Sequence, residues 1–382
     1  MSSKLRVGFF PPSDKGWMGG VNYYKNLFFA LNKYLSAEIE VVIFLPRNHN
    51  SEITSVYTGY VNEIILLDVL TRKSTTWFLS KIESRIIGTN RIFGISLKKS
   101  RIDIVSHSYI TRIPGIKSLS WIPDFQHVHL PNMFSTNEIK KREKMFKKLI
   151  KESDGVILSS YDALNDFENF SPKFKNKGHV LQFVSQPSKV FFEILESDKI
   201  KLQLKYNLPE KYYYIPNQFW KHKNHLLAFE AIKILFEKGM NPCLVCTGSL
   251  EDIRDPEYIN LIKDFIHNNK LENNIKLLGL VNYEDVFSLM KFSEVVINPS
   301  LFEGWSSTVE ECKSIGKKIV LSNLNVHLEQ IPDGIFFDKY DPESLATVLE
   351  LSEFNDISAS SSSVEERTKF LANQFLHLLR SF

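Results

Sequence analysis

The sequence predicts an α/β protein built from two doubly wound lobes. Short apolar runs alternate with helical patterns along most of the chain, which indicates β-α-β units and parallel sheets. The alternation pauses near residues 186–188 and then starts again. The chain has 382 residues, whereas one hydrophobic core stops growing beyond about 250–300 residues. We therefore expect an N-terminal domain at residues 1–187 and a second domain at residues 188–360.

Each element of the first domain follows from a local pattern. Residues 5–10 form an apolar run that predicts the first strand, a glycine-containing loop follows at 16–20, and helical spacing runs from 21 to 35. Further strands are predicted at residues 41–45, 64–67, 102–107 and 155–159.

The second domain repeats the alternation. Strands are predicted at residues 212–216, 243–247, 275–278, 295–298, 319–321 and 335–337, and helices at 223–238, 256–268, 283–291 and 308–315. Ligands of such sheets bind at the carboxyl ends of the strands, so two facing lobes would hold a site in the cleft between them. Residues 361–382 predict a C-terminal helix that can pack back on the first lobe.

The composition is that of a soluble globular protein, with 43% hydrophobic and 24% charged residues. It excludes disordered, collagenous and disulfide-scaffold proteins. Residues 1–190 carry 27 Lys/Arg and 16 Asp/Glu, whereas residues 191–382 carry 20 and 28. The net charge of +3 is thus the sum of +11 for residues 1–190 and −8 for residues 191–382. This asymmetry suggests that the first half faces something anionic.

The cysteine and targeting patterns favour a reducing, cytoplasmic setting. Cys243 and Cys246 form a Cys-x-x-Cys, but positions three apart on a strand point to opposite faces, so we expect no bridge and no shared metal. No apolar run approaches the ~18–20 residues of a membrane span. The N-terminus enters a strand without a signal-peptide pattern.

The strongest chemical signal lies at residues 298–311, where a strand ends at Pro299-Ser300 and a small-residue loop opens a helix. A helix N-terminus offers free N–H groups to an anion. Glu303 lies before the loop, and Glu311 lies about two turns inside the helix. An ordinary strand–turn–helix with a surface glutamate and a capping glutamate would show the same spacing.

This stretch resembles the signature of the retaining glycosyltransferases of family 4, within the glycosyltransferases of group 1. The resemblance spans roughly residues 5–350 and is specific in the second lobe and loose in the first. It also rests on residues 216–225, 121–127, 327–330, 333–334, 337–338 and 341–342. It implies the GT-B fold, in which two Rossmann-like lobes face an interdomain cleft. The first lobe would bind the acceptor and the second lobe the nucleotide-sugar donor.

The resemblance also implies roles for single residues. Glu311 would hold the ribose of the donor, Glu303 would contact the transferred sugar, and Lys223 would bind the diphosphate. The ammonium would stabilise the charge that grows on the leaving group. Asn217 and Gln218 stand where the family usually has an arginine, so we expect Lys221 to substitute for it as a point charge. A solvated basic turn is the plainer interpretation of the two lysines.

The loop after Glu303 also departs from the family, which usually has Gly-Phe-Gly-Leu-Pro there. We expect its amides and hydroxyls to meet sugar and phosphate oxygens, through Gly304, Ser306, Ser307 and Thr308. In the first lobe, the resemblance implies that Gly19 and Gly20 let the backbone approach the donor phosphate closely. A simple turn is the alternative.

Asp124 and His127 are expected near the reacting sugar, by the same resemblance. His127-x-His129 could instead suggest a metal pair, but no third and fourth ligands lie at the expected spacing. We therefore expect no metal and no cofactor, with the nucleotide sugar as a substrate.

Two stretches account for much of the basic first half. Residues 140–151 form a basic helical pattern with an apolar stripe, and residues 71–101 hold eight basic residues and one acid among apolar residues. Basic amphipathic helices suit an anionic membrane surface, but a solvated helix face over the core fits equally well. No nucleic-acid motif accompanies the charge.

The sequence therefore predicts a retaining glycosyltransferase that moves a hexosyl group from a nucleotide sugar to a glycan or lipid-linked acceptor. By the resemblance, we expect a role in bacterial surface polysaccharide synthesis, such as O-antigen or capsule. The setting would be cytoplasmic, or peripheral on the inner face of the cytoplasmic membrane. A nucleotide-sugar epimerase or phosphorylase on the same fold, or a non-catalytic subunit of a glycan assembly complex, are the alternatives.

Overall fold

The computed structural model describes residues 4–14, 17–187, 189–252, 254–351 and 363–382. Gly16 of the first predicted loop, Ser188 at the predicted domain boundary and residues 352–362 around the second boundary lie outside this part. The chain divides into two units by its internal contacts. Unit 1 is Met1–Phe125, Thr136–Ser185 and Val364–Phe382, and unit 2 is Gln126–Ser135 and Gln186–Ser363.

Unit 1 contains a parallel sheet in which the described residues form seven strands, ordered β3-β2-β1-β4-β5-β6-β7. The strands are β1 Leu5–Phe9, β2 Ile39–Leu45, β3 Glu63–Leu66, β4 Ile104–Val105, β5 Lys117–Ile122, β6 Gly155–Leu158 and β7 Gly178–Val180. The α-helices of this unit are α1 Met18–Leu35, α2 Ser51–Ser55, α3 Thr75–Ile86, α4 Arg91–Lys99, α6 Thr136–Glu152, α7 Tyr161–Phe170 and α15 Val364–Arg380.

The core of unit 1 lies on both faces of its sheet, as a doubly wound sheet requires. On one face, β1 and β2 bury their apolar side chains against α1. The C-terminal helix α15 joins this layer through Leu371 and Phe375 and packs beside α1. On the other face, Phe93 and Leu97 of α4 pack with Val42 and Val105.

Unit 2 contains a second parallel sheet, ordered β10-β9-β8-β11-β12-β13 in the described part of the chain. Its strands are β8 Tyr213–Ile215, β9 Leu244–Thr247, β10 Ile275–Gly279, β11 Val296–Asn298, β12 Ile319–Ser322 and β13 Ile335–Phe337. Its α-helices are α5 Gln126–His129, α8 Ser197–Tyr206, α9 His225–Glu237, α10 Tyr258–Asn268, α11 Tyr283–Phe292, α12 Ser307–Ile315, α13 Asn325–Gln330 and α14 Pro342–Leu351. The predicted pair of doubly wound sheets is confirmed.

Two strands escaped the sequence analysis because they lack a continuous apolar run. β5 carries Ser118 and Ser120, which are buried, between its apolar residues. β7 is an edge strand of three half-buried residues. The predicted strand at 102–107 is shorter than expected, because the backbone turns at His107, which has a φ of 56°.

The cysteines are core residues, and Cys243 and Cys246 face opposite sides of the sheet, as predicted. Cys243, Cys246 and Cys312 are free and buried. Cys243 packs with Tyr212 and Val245 on one face of the second sheet, whereas Cys246 packs with Ile215 and Leu244 on the other. Among the described helices, none is both long and apolar enough to cross a membrane.

Candidate functional site

The second sheet has a topological switch point between β8 and β11, which pair in parallel at Tyr214 and Val296. The chain leaves β8 toward β9 on one side and leaves β11 toward β12 on the other. In such sheets, ligands bind outside the carboxyl ends of the strands at this point. The loops that follow β8 and β11 are residues 216–224 and 299–306, which contain the motifs singled out in the sequence.

The loop after β8 is held in place by the loop after β9. Phe219 N–H donates to the Ser249 carbonyl at 3.0 Å, and Ser249 N–H donates to Gln218 Oε1 at 2.7 Å. Gly248 has a φ of +133°, and a Cβ there would lie 2.4 Å from the Asn217 carbonyl oxygen. The two loops can therefore approach this closely only with glycine at position 248.

The loop after β11 ends in a capped helix. Ser306 is the N-cap of α12, and its Oγ accepts from Val309 N–H at 3.4 Å. The Gln330 side chain accepts from Ser306 N–H at 3.0 Å and donates to the Ser306 carbonyl at 3.1 Å. These contacts fix the start of α12, whose first amides belong to Ser307 and Thr308. Ser307 is exposed, whereas the Ser306 and Thr308 side chains are buried.

Buried polar side chains join the two loops. Thr308 Oγ1 donates to Asn217 Oδ1 at 2.9 Å, and Asn217 Nδ2 donates to Asn298 Oδ1 at 3.4 Å. Asn298 Nδ2 donates to Ser306 Oγ at 2.9 Å. In addition, Leu301 N–H donates to the His222 carbonyl at 2.8 Å. Asn217 and Thr308, both predicted to contact the donor, thus hold the loops together.

A buried ion pair lies where the two loops meet. Lys223 Nζ is 2.5 Å from Glu303 Oε1, and the side chains are only 14% and 10% exposed. Ser300 Oγ lies 2.7 Å from the same carboxylate oxygen. Burial acts to raise the pKa of Glu303, but the charge and hydrogen bond of Lys223, with smaller contributions from His327 and His222, together outweigh it, so the pKa lies below its usual value. Glu303 is therefore ionised at neutral pH, beside Lys223, which the sequence analysis placed on the diphosphate.

Glu311 lies one residue beyond the buried Glu310 of α12, near Tyr214 and Tyr283. Burial raises the pKa of its carboxyl to about 7. Within the described residues, no hydrogen bond to the Glu311 carboxylate is recorded. When it is ionised, the Glu311 carboxylate can accept hydrogen bonds from the two hydroxyl groups of a diol.

Two buried histidines adjoin the ion pair and are neutral. Burial lowers the pKa of His222 to about 3 and that of His327 to about 4. His327 Nδ1 is 2.9 Å from the Ser322 carbonyl, so it carries the proton and leaves Nε2 as an acceptor. The positive charge beside Glu303 therefore comes from Lys223.

A second cation at this edge of the sheet is Arg254, which the sequence analysis missed. Its guanidinium lies 3.3 Å from His222 Nδ1 and over the ring of Trp220, at 5.9 Å from the centroid. The sequence has no arginine between residues 206 and 253, and Arg254 comes from the loop after β9. Lys221 instead pairs with Asp255 at 2.9 Å and is half exposed.

The residues predicted from the first lobe fall in both units. Asp124 lies in unit 1 and pairs with Arg142 at 3.5 Å. His127 lies in α5, which belongs to unit 2, and is buried. The neighbouring His129 ring is 5.1 Å from the ring of Phe302. The short helix α5 therefore packs against the loop that carries Glu303.

Unit 1 has its own switch point, between β1 and β4. A cavity of ≈ 500 Å³ lies there, outside the carboxyl ends of the strands. It is lined mainly by aromatic residues and prolines, namely Phe10, Pro11, Pro12, Trp17, Tyr24, Phe44, Pro46, Tyr109, Trp121 and Pro123, together with Leu70, Ser13, Asp14, His107 and Ser108. No described lysine or arginine lines it. His107 is neutral, because burial lowers its pKa to about 3.

The glycine pair of unit 1 lies inside the first turn of α1, not in a loop before it as expected. The indole of Trp17 packs over Gly20, where a Cβ would lie 2.4 Å from the ring. A Cβ on Gly19 would meet that ring at an ordinary 3.5 Å. Trp17 in turn stacks on Trp121, with centroids 5.5 Å apart. The absence of a side chain at Gly20 thus leaves room for Trp17, which lines the cavity. The contact of Gly20 with a phosphate stays a prediction.

The described residues contain no group of three or more histidine, cysteine, aspartate or glutamate side chains that could hold a metal ion. The arrangement at the second switch point instead offers one ammonium, one guanidinium and a helix N-terminus to an anion. It offers Glu311 to hydroxyl groups. Such a set can bind a phosphorylated nucleoside.

Parts of the chain are similar to known proteins. The model of the family described as glycosyl transferases group 1 matches residues 196–366. A segment of 137 residues, 35% of this chain, is 28% identical to the UDP-Gal:alpha-D-GlcNAc-diphosphoundecaprenol alpha-1,3-galactosyltransferase of Escherichia coli. A segment of 199 residues, 51% of the chain, is 23% identical to an uncharacterized glycosyltransferase of Methanocaldococcus jannaschii. These matches span 34% and 47% of the two relatives.

The whole chain superposes on a solved structure. The HepE protein of Anabaena, in complex with UDP and glucose, has a TM-score of 0.71 over 100% of both chains, at 13% identity. This likeness confirms the predicted GT-B fold.

Proposed function

Because residues 196–366 match the model of the glycosyl transferases of group 1, we propose that the protein transfers a hexosyl group, with retention, from a nucleotide sugar to a glycan or lipid-linked acceptor. The observation that carries this proposal is the buried Lys223–Glu303 pair at the second switch point, since Glu303 lies on the loop that leads into the helix of Glu311. Together these groups match the anionic, sugar and ribose parts of such a donor.

The donor is assigned to unit 2. In the proposed complex, Glu311 accepts hydrogen bonds from the ribose, and Lys223 with Arg254 meets the diphosphate. The amides of Ser307 and Thr308 add partial positive charge at the start of α12. UDP sugars are the first candidates, because the Escherichia coli relative uses UDP-Gal and HepE binds UDP and glucose.

The acceptor is assigned to the cavity of unit 1. Its aromatic walls suit the apolar faces of a sugar ring. A lipid-linked acceptor fits the name of the Escherichia coli relative, whose substrate carries diphosphoundecaprenol. The role in O-antigen or capsule synthesis rests on this likeness.

The chemical step follows from the charges at the site. As the bond to the diphosphate breaks, the sugar gains oxocarbenium character and the leaving group gains negative charge, which Lys223 stabilises. Glu303 is ionised and lies beside the developing cation. The departing phosphate takes the proton of the attacking hydroxyl on the same face of the sugar, so the anomeric configuration is retained. Protein cations suffice for this step, so we expect no metal requirement.

A panel of nucleotide sugars with a saccharide acceptor tests the function. Released nucleoside diphosphate with a new α- or β-linked product of retained configuration supports the proposal. An epimerised donor would identify an epimerase, and no reaction with any donor would favour a non-catalytic subunit. EDTA should leave the transfer rate nearly unchanged, whereas loss of activity that Mg²⁺ or Mn²⁺ restores would contradict the metal-free step.

Binding of the nucleotide can be measured separately. A ligand of the native state raises the melting temperature, so UDP, GDP, ADP and CMP can be compared without an acceptor. We expect the largest shift with UDP. The Glu311→Ala variant should lose that shift, because it lacks the carboxylate proposed to hold the ribose.

A further inference from the structure

Helices α3 and α4 present an apolar and basic surface to solvent. The large apolar side chains of this α3–α4 surface are each at least half exposed, namely Phe78, Leu79, Ile82, Ile86, Ile87 and Ile95. Scattered apolar residues are normal on a protein surface, but a contiguous apolar patch marks an interaction site.

The apolar residues of α3 share one face. At 3.6 residues per turn, Phe78, Ile82 and Ile86 follow one another at successive turns, and Leu79 lies beside them. Together they form a stripe about 100° wide, which in a globular protein normally faces the core. Here the stripe is in solvent, and the buried residue of α3 is Glu83.

The charges on the same surface have one sign. Eight basic residues of this segment are all exposed, namely Arg72, Lys73, Lys81, Arg85, Arg91, Lys98, Lys99 and Arg101. Within the described part of the chain, no carboxylate pairs with any of them. The one acid, Glu83, points inward and accepts from the backbone N–H groups of Arg91 and Ile92 at 3.1 and 3.0 Å. It caps the start of α4, so no acid of residues 71–101 lies on the outer face.

The second basic stretch differs. In α6, the apolar stripe Phe146, Leu149 and Ile150 is buried. Phe146 packs on Phe125, at 5.5 Å between ring centroids. The lysines of α6 are therefore the solvated outer face of an ordinary core helix. The two stretches look alike in sequence, and only α3–α4 keeps its apolar side chains available.

We propose that the α3–α4 surface docks on an anionic membrane, with Phe78, Ile82 and Ile86 entering the headgroup boundary and the basic residues contacting lipid phosphates. Apolar side chains flanked by lysine and arginine, without acids, match the amphipathic pattern of interfacial helices. Each basic residue near anionic lipid strengthens binding about fivefold. This surface is independent of the glycosyl transfer, since it contains no residue of the proposed donor or acceptor sites.

Co-sedimentation with phosphatidylcholine vesicles, with and without phosphatidylglycerol, tests the docking. The wild-type protein should bind only the anionic vesicles and should be released as salt rises from about 0.1 M to about 1 M, where the Debye length falls from about 10 Å to about 3 Å. If it ignores the anionic vesicles at low salt, the proposal is wrong.

Two variants with the same charge change separate this surface from general electrostatics. The test variant replaces Lys81, Arg85, Lys98 and Lys99 by glutamine. The matched control replaces Lys140, Lys141, Lys144 and Lys148 of α6 by glutamine. The test variant should bind more than about a hundredfold more weakly, whereas the control should stay within about threefold of wild type. Equal losses in both would refute a specific docking surface.

A third variant tests the apolar contribution. Ile82→Gln with Ile86→Gln keeps every charge and changes two exposed positions, so the fold should survive, as circular dichroism can show. We expect vesicle binding to fall more than about tenfold. Unchanged vesicle binding would contradict insertion. If the wild-type protein instead self-associates in sedimentation velocity and this variant is monomeric, the surface contacts a second copy and not a membrane.

Discussion

Lys223 and Glu303 form a buried ion pair, with 2.5 Å between Nζ and Oε1, although they are 80 residues apart in the chain. Each residue lies on a loop that leaves the carboxyl end of a strand, and those strands, β8 and β11, are neighbours at the switch point. The pair therefore forms only when both loops are in their folded positions. A donor diphosphate would give Lys223 a second anionic partner while Glu303 remains ionised beside the sugar.

The first prediction concerns this pair. Lys223→Gln and Glu303→Ala should each lower kcat by about 10²–10³ and change the donor KM less, because the contacts they remove are strongest in the transition state. Steady-state kinetics with the confirmed donor measures both constants. Lys233→Gln on the outer face of α9 removes the same charge and should leave kcat unchanged. Wild-type kinetics in both site variants would place the active site elsewhere.

Glu311 should make donor binding depend on pH. Since burial raises its pKa to about 7, the carboxyl gains a proton below neutral pH and loses its power to accept from both ribose hydroxyls. UDP affinity should therefore weaken as pH falls from about 8 to about 6, by up to about tenfold for each pH unit below the pKa. Calorimetric titration measures this slope. Glu311→Gln should bind weakly with a smaller slope, and an equal slope in that variant would exclude Glu311 as its source.

The same raised pKa affects folding. The folded state holds the Glu311 proton more tightly than the unfolded state, so this group stabilises the fold less as pH rises from its unfolded value of 4.5 toward 7. Urea unfolding at several pH values, compared with Glu311→Gln, would show this decline only in the wild type.

Arg254 should contribute to donor affinity although it lies outside the recognised motifs. Its guanidinium lies beside His222, one residue before Lys223, and an arginine can bind a phosphate in a bidentate manner. We expect Arg254→Ala to weaken UDP binding about tenfold and Arg254→Lys to restore it in part. Lys263→Ala, at an exposed position of α10, is the control. Full affinity in Arg254→Ala would limit Arg254 to its contacts with Trp220 and Asp252.

Gly248→Ala should destabilise unit 2, because its Cβ would lie 2.4 Å from the Asn217 carbonyl at a φ of +133°. The expected loss in the free energy of unfolding is about 3 kcal/mol. Gly239→Ala is a matched control, since Gly239 also has a positive φ, +84°, but a Cβ there would meet no atom within 4 Å. It should cost about 1 kcal/mol. Equal losses in chemical denaturation would show that the close approach is unimportant.

In unit 1, Gly20→Ala should displace Trp17, because the new methyl group would overlap the indole. Gly19→Ala should leave the indole in place. Tryptophan fluorescence and near-ultraviolet circular dichroism report the stack of Trp17 on Trp121. If Gly20→Ala leaves these spectra unchanged and weakens donor binding, the glycine serves the phosphate and not the aromatic wall.

Hydrophobic periodicity predicted most of the elements, because short apolar runs and helical spacing are local properties of the chain. The strand missed at Lys117–Ile122 shows the limit, since Ser118 and Ser120 are buried in the sheet although they are polar. The motif around Glu303 and Glu311 could be found because its residues are close in sequence. Arg254 could not, because it reaches His222 from another loop, 32 positions along the chain.

The sequence by itself determined the alternation of strands and helices, the pair of doubly wound sheets and the local motif that carries Glu303 and Glu311. It could not distinguish α3 from α6, because both show an apolar stripe beside lysines. A stripe in the sequence specifies which face of a helix is apolar, but not whether another element covers that face. The tertiary structure decided this, since Phe125 covers the stripe of α6 while Phe78, Ile82 and Ile86 of α3 stay in solvent.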